Sequence, residues 1–199
     1  MKITSVNVIE CKPNVMGKVI CVRINTDCAD IYGYGEVGLS YGKAHHAGVG
    51  IARDFGEIIV GMDPLKPELI WETLFRTTFW GMGGGTVINA GMSAIDTALW
   101  DIMGKAYKMP VYQLLGGKSN ERIRAYASQL QFGWGPEHLF LTDPKDYAKA
   151  TQDALDDGYD AIKVDPMGVT DDGKWAREAT NPNWKMRGKL SEKMLETCY

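Results

Sequence analysis

The sequence predicts an α+β domain over residues 1–120, followed over 121–199 by the opening of a parallel α/β domain. Three observations carry this. Val- and Ile-rich stretches fill the first forty positions, and a long run of apolar residues at three- and four-residue steps follows them. After about Glu121 the rhythm becomes strand, helix, strand, helix.

In chain order, Ile3–Glu10, 18–25 and 31–37 read as an antiparallel meander, with Thr26-Asp27-Cys28-Ala29-Asp30 as a hairpin loop. After Gly42 the period changes: Ala47, Ile51, Phe55, Ile58 and Ile59 follow helical spacing, and Gly61 sits where a helix stops. Asp63-Pro64 marks the entry to a second helical segment through Trp80, with Leu65, Leu69, Ile70, Leu74 and Phe75 as its apolar residues. The glycine-rich stretch Gly81-Met82-Gly83-Gly84-Gly85-Thr86 follows a helix and lacks the Gly-Lys-Ser/Thr ending of a phosphate cradle, so a flexible loop is expected there. Ile88, Met92, Ile95, Leu99, Ile102, Met103 and Ala106 then predict a long helix with a broad buried face, punctuated by Pro110 and Gly116-Gly117.

Beyond that point 122–129 alternates like a strand, 144–157 reads as a helix closed by Gly158, and 159–165 as a short strand with a buried centre. Residues 183–199 are helical in pattern, with Met186, Leu190, Met194 and Leu195 on one face. Strands joined through a helix lie parallel, and two parallel strands can neither be covered on both faces nor close a barrel. The chain is therefore expected to be the first portion of a larger protein; a small complete α+β domain is the alternative.

Composition excludes several function classes. With 25 acidic and 22 basic residues the chain has no positive field for a polyanion, so neither nucleic acid nor an anionic membrane is an expected partner. No stretch reaches a spanning helix, and the first ten residues lack the basic head and apolar run of a signal peptide, which points to the cytoplasm. The four cysteines, Cys11, Cys21, Cys28 and Cys198, show no C-x-x-C spacing; they are expected to be reduced, with no zinc site.

Candidate chemistry gathers at strand ends. Lys163 and Asp165, two apart on a strand, share a face at its carboxyl end, where α/β folds place their sites; a structural salt bridge is the other reading. Ser128 and Gln129 end the preceding strand and could hydrogen-bond a polar substrate. The aromatic and glycine-rich loop from Leu130 to His138 either lines a ligand cleft or packs against a neighbouring domain. Tyr41 and Trp80 flank glycine-rich loops and are candidates for a pocket wall, whereas His45-His46, without a partner at metal spacing, is expected to be solvent-exposed.

Four stretches together resemble the enolase superfamily in its mandelate racemase and muconate-lactonising branch: Tyr34-Gly35-Glu36, Gly61-Met62-Asp63-Pro64, the helix segment from Ala94 to Ile102, and Pro110-Val111-Tyr112-Gln113-Leu114-Leu115-Gly116-Gly117. The likeness covers essentially the whole chain. It implies an α+β capping domain followed by the start of a modified (β/α) TIM-type barrel, incomplete in this chain. Phe79-Trp80 and the capping loops are similar to sugar-acid dehydratases of the galactonate and mannonate types.

The resemblance implies proton removal α to a carboxylate, an enediolate held by magnesium, and loss of the β-hydroxyl to give a 2-keto-3-deoxy acid. It puts the magnesium ligands on the third to fifth barrel strands, none of which is present, so no metal ligand is assigned here. The expected substrate is a small hydroxy-carboxylate, an aldonate or aldarate, and the expected protein partner is a further copy of the chain or the missing barrel portion. Lys163 matches the first lysine of the family's Lys-x-Lys motif, and Asp165 replaces the second. Paired lysines can supply a neutral amine, whereas a neighbouring carboxylate favours the ammonium. Lys163 is thus expected to stabilise the substrate carboxylate, with Asp165 on the catalytic rim. Tyr41, Trp80, Ser128 and Gln129 are the expected substrate contacts. Ser128 and Tyr41 replace a histidine and an asparagine of mannonate-type members, which speaks against mannonate itself. Epimerase or cycloisomerase activity, or a non-catalytic binding domain, are the alternatives.

Overall fold

The computed structural model describes residues 1–12, 18–39, 44–165, 169 and 173–175, with the backbone alone at Trp80. The chain divides into two compact units, Met1–Ser119 and Asn120–Tyr199.

The first unit opens with a three-stranded antiparallel sheet in the order β1 (Ile3–Glu10), β2 (Ile20–Thr26), β3 (Tyr32–Val37). Strand β2 alternates cleanly: Ile20, Val22 and Ile24 are fully buried, and Cys21, Arg23 and Asn25 face the other way. Burying each large aliphatic side chain stabilises the fold by about 1.5–3 kcal/mol. The covering layer is α1 (His45–Ile59), α2 (Pro67–Thr77) and α3 (Thr86–Tyr107), which bring Phe55, Ile59, Ile70, Leu74, Met92, Ile95, Leu99 and Ile102 into the same core. Helix α2 begins at Pro67, one turn later than Pro64 suggests, because the Asp63 carboxylate accepts the Leu65 N–H at 3.1 Å and holds a turn there.

Strand β3 presents glycine at two of its three inward positions, with Val37 at the third. A Cβ at Gly33 would stand 1.9 Å from the Ala98 carbonyl oxygen, and one at Gly35 would stand 1.9 Å from that of Ala94. Helix α3 therefore lies with its backbone directly on β3, which only Gly on the strand and Ala on the helix permit. The outer edge of β3 is closed by α3 as well. Asp101 Oδ2 accepts the Tyr34 N–H at 3.0 Å, and Lys105 Nζ donates to the Tyr32 carbonyl at 2.6 Å. Two side chains thus occupy backbone groups that a further strand would otherwise pair.

Within the glycine-rich stretch, expected to be a flexible loop, Trp80–Gly83 forms a 3-10 turn, closed by the Gly84 N–H donating to Gly81 O at 2.9 Å. After α3 the chain turns through Lys108 in the left-handed conformation and enters the short α4 (Val111–Leu114) behind Pro110.

In the second unit β4 (Ala127–Ser128) pairs in parallel with β5 (Ile162–Lys163), and α5 (Pro144–Asp156) connects them. Asp143 caps α5 by accepting the Lys145 N–H at 2.9 Å, with Pro144 in the first turn. Ala127, Leu130, Leu141, Tyr147, Ala150 and Ala154 form the core. Both strands are shorter than the alternation over 122–129 and 159–165 predicts, and the second lacks the buried centre: Ile162 is 38% and Val164 40% exposed. The physical reason is that, among the described residues, a single helix covers this two-stranded parallel sheet, on one face. The predicted helix over 183–199 lies outside the described residues.

Candidate active site

The carboxyl ends of β4 and β5 lie side by side. In the parallel register Ala127 pairs with Ile162 and Ser128 with Lys163, so the hydroxyl and the ammonium stand on neighbouring strands at the same level and on the same face. Both residues are exposed, and among the described residues the Lys163 ammonium makes no ion pair. The salt-bridge reading of Lys163 with Asp165 is therefore not what the strand end shows. Gln129 follows in the left-handed conformation with φ of 64°, which ends β4 and turns the chain into a 3-10 turn over Leu130–Phe132.

Asp165 is half-buried, and its backbone N–H donates to Gln131 Oε1 at 3.3 Å. Gln131, 6% exposed, thus ties the segment after β5 to the loop after β4. That loop is ordered by its own contacts. Leu139 and Leu141 donate their N–H groups to Phe132 and Gln131 at 2.9 and 3.0 Å. Phe132 stacks on His138 with centroids 4.3 Å apart, and Phe140 and Trp175 complete an aromatic cluster. Trp134 turns away to α5, where its Nε1 donates to Asp157 at 2.7 Å and its ring meets Tyr159. At the opposite strand ends Arg124 binds Asp160 at 2.9 Å, and that bond holds the Asp160 carboxyl below the usual range.

The other candidates belong to the first unit. Tyr41 lies outside the described residues, and of Trp80 the structure gives the backbone position, at the start of the 3-10 turn. His45 is not solvent-exposed as its sequence setting suggests. It is buried at the first turn of α1, with Nε2 2.6 Å from Glu10 Oε2, and Arg53 stands 3.8 Å from the other carboxylate oxygen. Glu10 thus gives the buried ring nitrogen a hydrogen-bond partner at the start of α1. The His45 hydrogen bond, aided by the charges of His45, Lys18 and Arg53, holds the Glu10 carboxyl below its usual range against desolvation.

A cavity of about 430 Å³ on α3 and α4 is lined by Asp96, Thr97, Trp100, Asp101, Val111 and Leu115. Burial, with the Glu68 charge adding to it, pushes the Asp96 carboxyl up, opposed by a hydrogen bond with Trp100. Sequence reasoning missed Gln131, His45 and this cavity. Only His45 carried a signal, its place four residues before the helical Val49.

Compared with known proteins, residues 8–116 match the model of the mandelate racemase / muconate lactonizing enzyme N-terminal domain. The chain belongs to that family. Its first unit is the α+β capping domain of the enolase superfamily. A solved member of the enolase superfamily from Salmonella Typhimurium superposes with a TM-score of 0.87 at 49% identity, over 98% of this chain and 49% of that one. An enolase from Pantoea ananatis, solved with D-gluconate and magnesium bound, gives a TM-score of 0.71 at 26% identity, over 90% of this chain and 42% of that one. Among curated relatives, the D-galactonate dehydratase of Variovorax paradoxus is 33% identical over 165 residues, 82% of this chain and 38% of the relative. The chain thus spans less than half the length of each.

Proposed function

We propose that this chain supplies the capping domain and the first two barrel strands of a magnesium-dependent sugar-acid dehydratase, acting on an aldonate or aldarate. The observation that carries the reading is the parallel register that sets Ser128 beside Lys163 at the carboxyl ends of β4 and β5, in a family with dehydratase relatives. A carboxylate arriving there meets an ammonium that makes no ion pair among the described residues, and a fixed positive charge favours the negative charge that grows on the carboxylate as the α-proton leaves.

Lys163 is assigned to the substrate carboxylate, as an electrostatic stabiliser and not as the base. Ser128 and Gln129 hydrogen-bond substrate hydroxyls, the serine directly beside the ammonium and the glutamine from the turn that ends β4. Asp165 sits on the rim, its position set by the bond from its N–H to Gln131. Tyr41 and Trp80 belong to the capping loops over the substrate.

Magnesium, where bound, neutralises charge on the carboxylate oxygens. Among the described residues no group of three or more His, Cys, Asp or Glu side chains fits a metal ion. The roles assigned to this chain are binding and orientation of the substrate and, at Lys163, electrostatic stabilisation of its carboxylate.

The test is turnover of a panel of aldonates and aldarates by the full-length protein with magnesium, read as 2-keto acid formed. One or a few members of the panel give 2-keto-3-deoxy product. Return of epimerised substrate without keto acid selects the isomerase alternative and overturns the dehydratase reading.

A further inference from the structure

The thiols of Cys11 and Cys21 stand 4.0 Å apart, both partly buried. They bracket the β1–β2 connection. Cys11 is the first residue past β1, its N–H donating to Val19 O at 2.9 Å, and Cys21 is paired with Ile9 on one side and Glu36 on the other. The two are diagonal neighbours across an antiparallel ladder, on the face of the sheet away from the core. The dehydration chemistry uses neither of them.

We infer that Cys11 and Cys21 form a reversible dithiol–disulfide pair, oxidised by small-molecule disulfides such as glutathione disulfide, that closes a covalent ring around the β1–β2 connection. The sulfurs must approach by about 2 Å to bond. Cys21 is fixed by ladder partners on both sides, whereas Cys11 lies beyond the end of its strand, so the movement falls to Cys11. Burial, the hydrogen bond with Cys11 and the Glu36 charge hold the Cys21 thiol above its usual range, which makes Cys11 the point of entry.

The Cys11 thiolate attacks one sulfur of the oxidant, forming a mixed disulfide and releasing one small thiolate. Cys21 then gives its proton to solvent, and its thiolate attacks the Cys11 sulfur and expels the second small thiolate. Two protein thiols are oxidised, and one small disulfide is reduced to two thiols.

The test uses the whole 199-residue chain carrying Cys28→Ser and Cys198→Ser, which removes competing thiols. It is equilibrated in glutathione buffers of rising disulfide fraction, alkylated with N-ethylmaleimide, and read by intact mass and by peptide mapping without reduction. The expected product is about 2 Da lighter, loses both alkylation sites together, yields a linked Cys11–Cys21 peptide, and reverts in dithiothreitol. In urea, where strand pairing is lost, the ring-closing equilibrium falls at least about tenfold. The further variant Cys21→Ser stops at a glutathione adduct on Cys11. Retention of both alkylation sites in oxidising buffer, or arrest of the parent protein at that adduct, overturns the inference. The parent protein alone decides the matter if the Cys21→Ser variant fails to fold.

Discussion

Lys163 is the residue on which the chemistry turns, and its proposed role differs measurably from that of a base. Replacement by Met in the full-length protein removes the charge opposite the substrate carboxylate and lowers kcat/KM by about 10²-fold or more, on the scale of a lost electrostatic contact. The arginine variant recovers part of that loss. The pH profile of the residual activity keeps its shape in both, because the group that takes the proton is elsewhere. A lost limb in that profile would make Lys163 the base. Lys163, Asp165, Ser128 and Gln129 were legible as candidates because ionisable and polar residues ended two strand patterns. Gln131 was not, since a glutamine between Leu and Phe carries no pattern; its burial and its bond to the Asp165 N–H are tertiary facts.

Two carboxylates give opposite pH signatures at the same scale. Glu10 is held below its usual range by His45, so its contribution to stability is present above the ordinary glutamate pKa and is lost as pH falls through the lowered folded value. Glu10→Gln should thus melt below the parent near neutrality, with the difference shrinking on acidification. Asp96 is pushed up by burial, so the folded state binds its proton more tightly and loses stability as pH rises through the ordinary aspartate range towards the raised value. Asp96→Asn should therefore melt above the parent at neutral pH and equal to it in acid. Thermal melts of the three proteins across pH 3–8 check both signs.

Among the elements, the β3–α3 contact explains why the stretch around Tyr34-Gly35-Glu36 and the segment from Ala94 to Ile102 go together. The strand's glycines admit the helix backbone, and Asp101 and Lys105 close the strand's edge. Either Gly33→Ala or Gly35→Ala puts a methyl group into a carbonyl oxygen and should destabilise by about 3 kcal/mol, at the upper end of overpacking, or prevent folding. Asp101→Ala, which frees an N–H that water can reach, should cost only about 0.5–1.5 kcal/mol. Urea unfolding of the variants separates the two; equal effects would contradict the close-approach account. The three strands and the long helix were visible because each had its own period, two or near 3.6. The lengths of β4 and β5 were not, because a parallel strand's extent depends on its neighbours and not on its own alternation. The expected exposure of His45 failed for a related reason: its ring is brought inside by Glu10, thirty-five positions earlier.

At the scale of the molecule, a capping domain of this family is followed, among the described residues, by one parallel strand pair whose carboxyl ends carry Ser128 and Lys163 at paired positions. The fold class was legible from the order of periods along the chain. The chemistry was legible only as far as the strand ends reach, and among the described residues no helix is long and apolar enough to cross a membrane. The central claim is elimination, as opposed to proton exchange, at a hydroxy acid. Its most direct measurement is the reaction of the full-length protein with its accepted sugar acid in heavy water, followed by mass spectrometry and proton NMR. The account requires a 2-keto acid carrying one solvent deuteron at C3, formed as the enol left by hydroxyl loss takes its proton from solvent. Recovery of intact substrate deuterated at C2, with no keto acid, would contradict it.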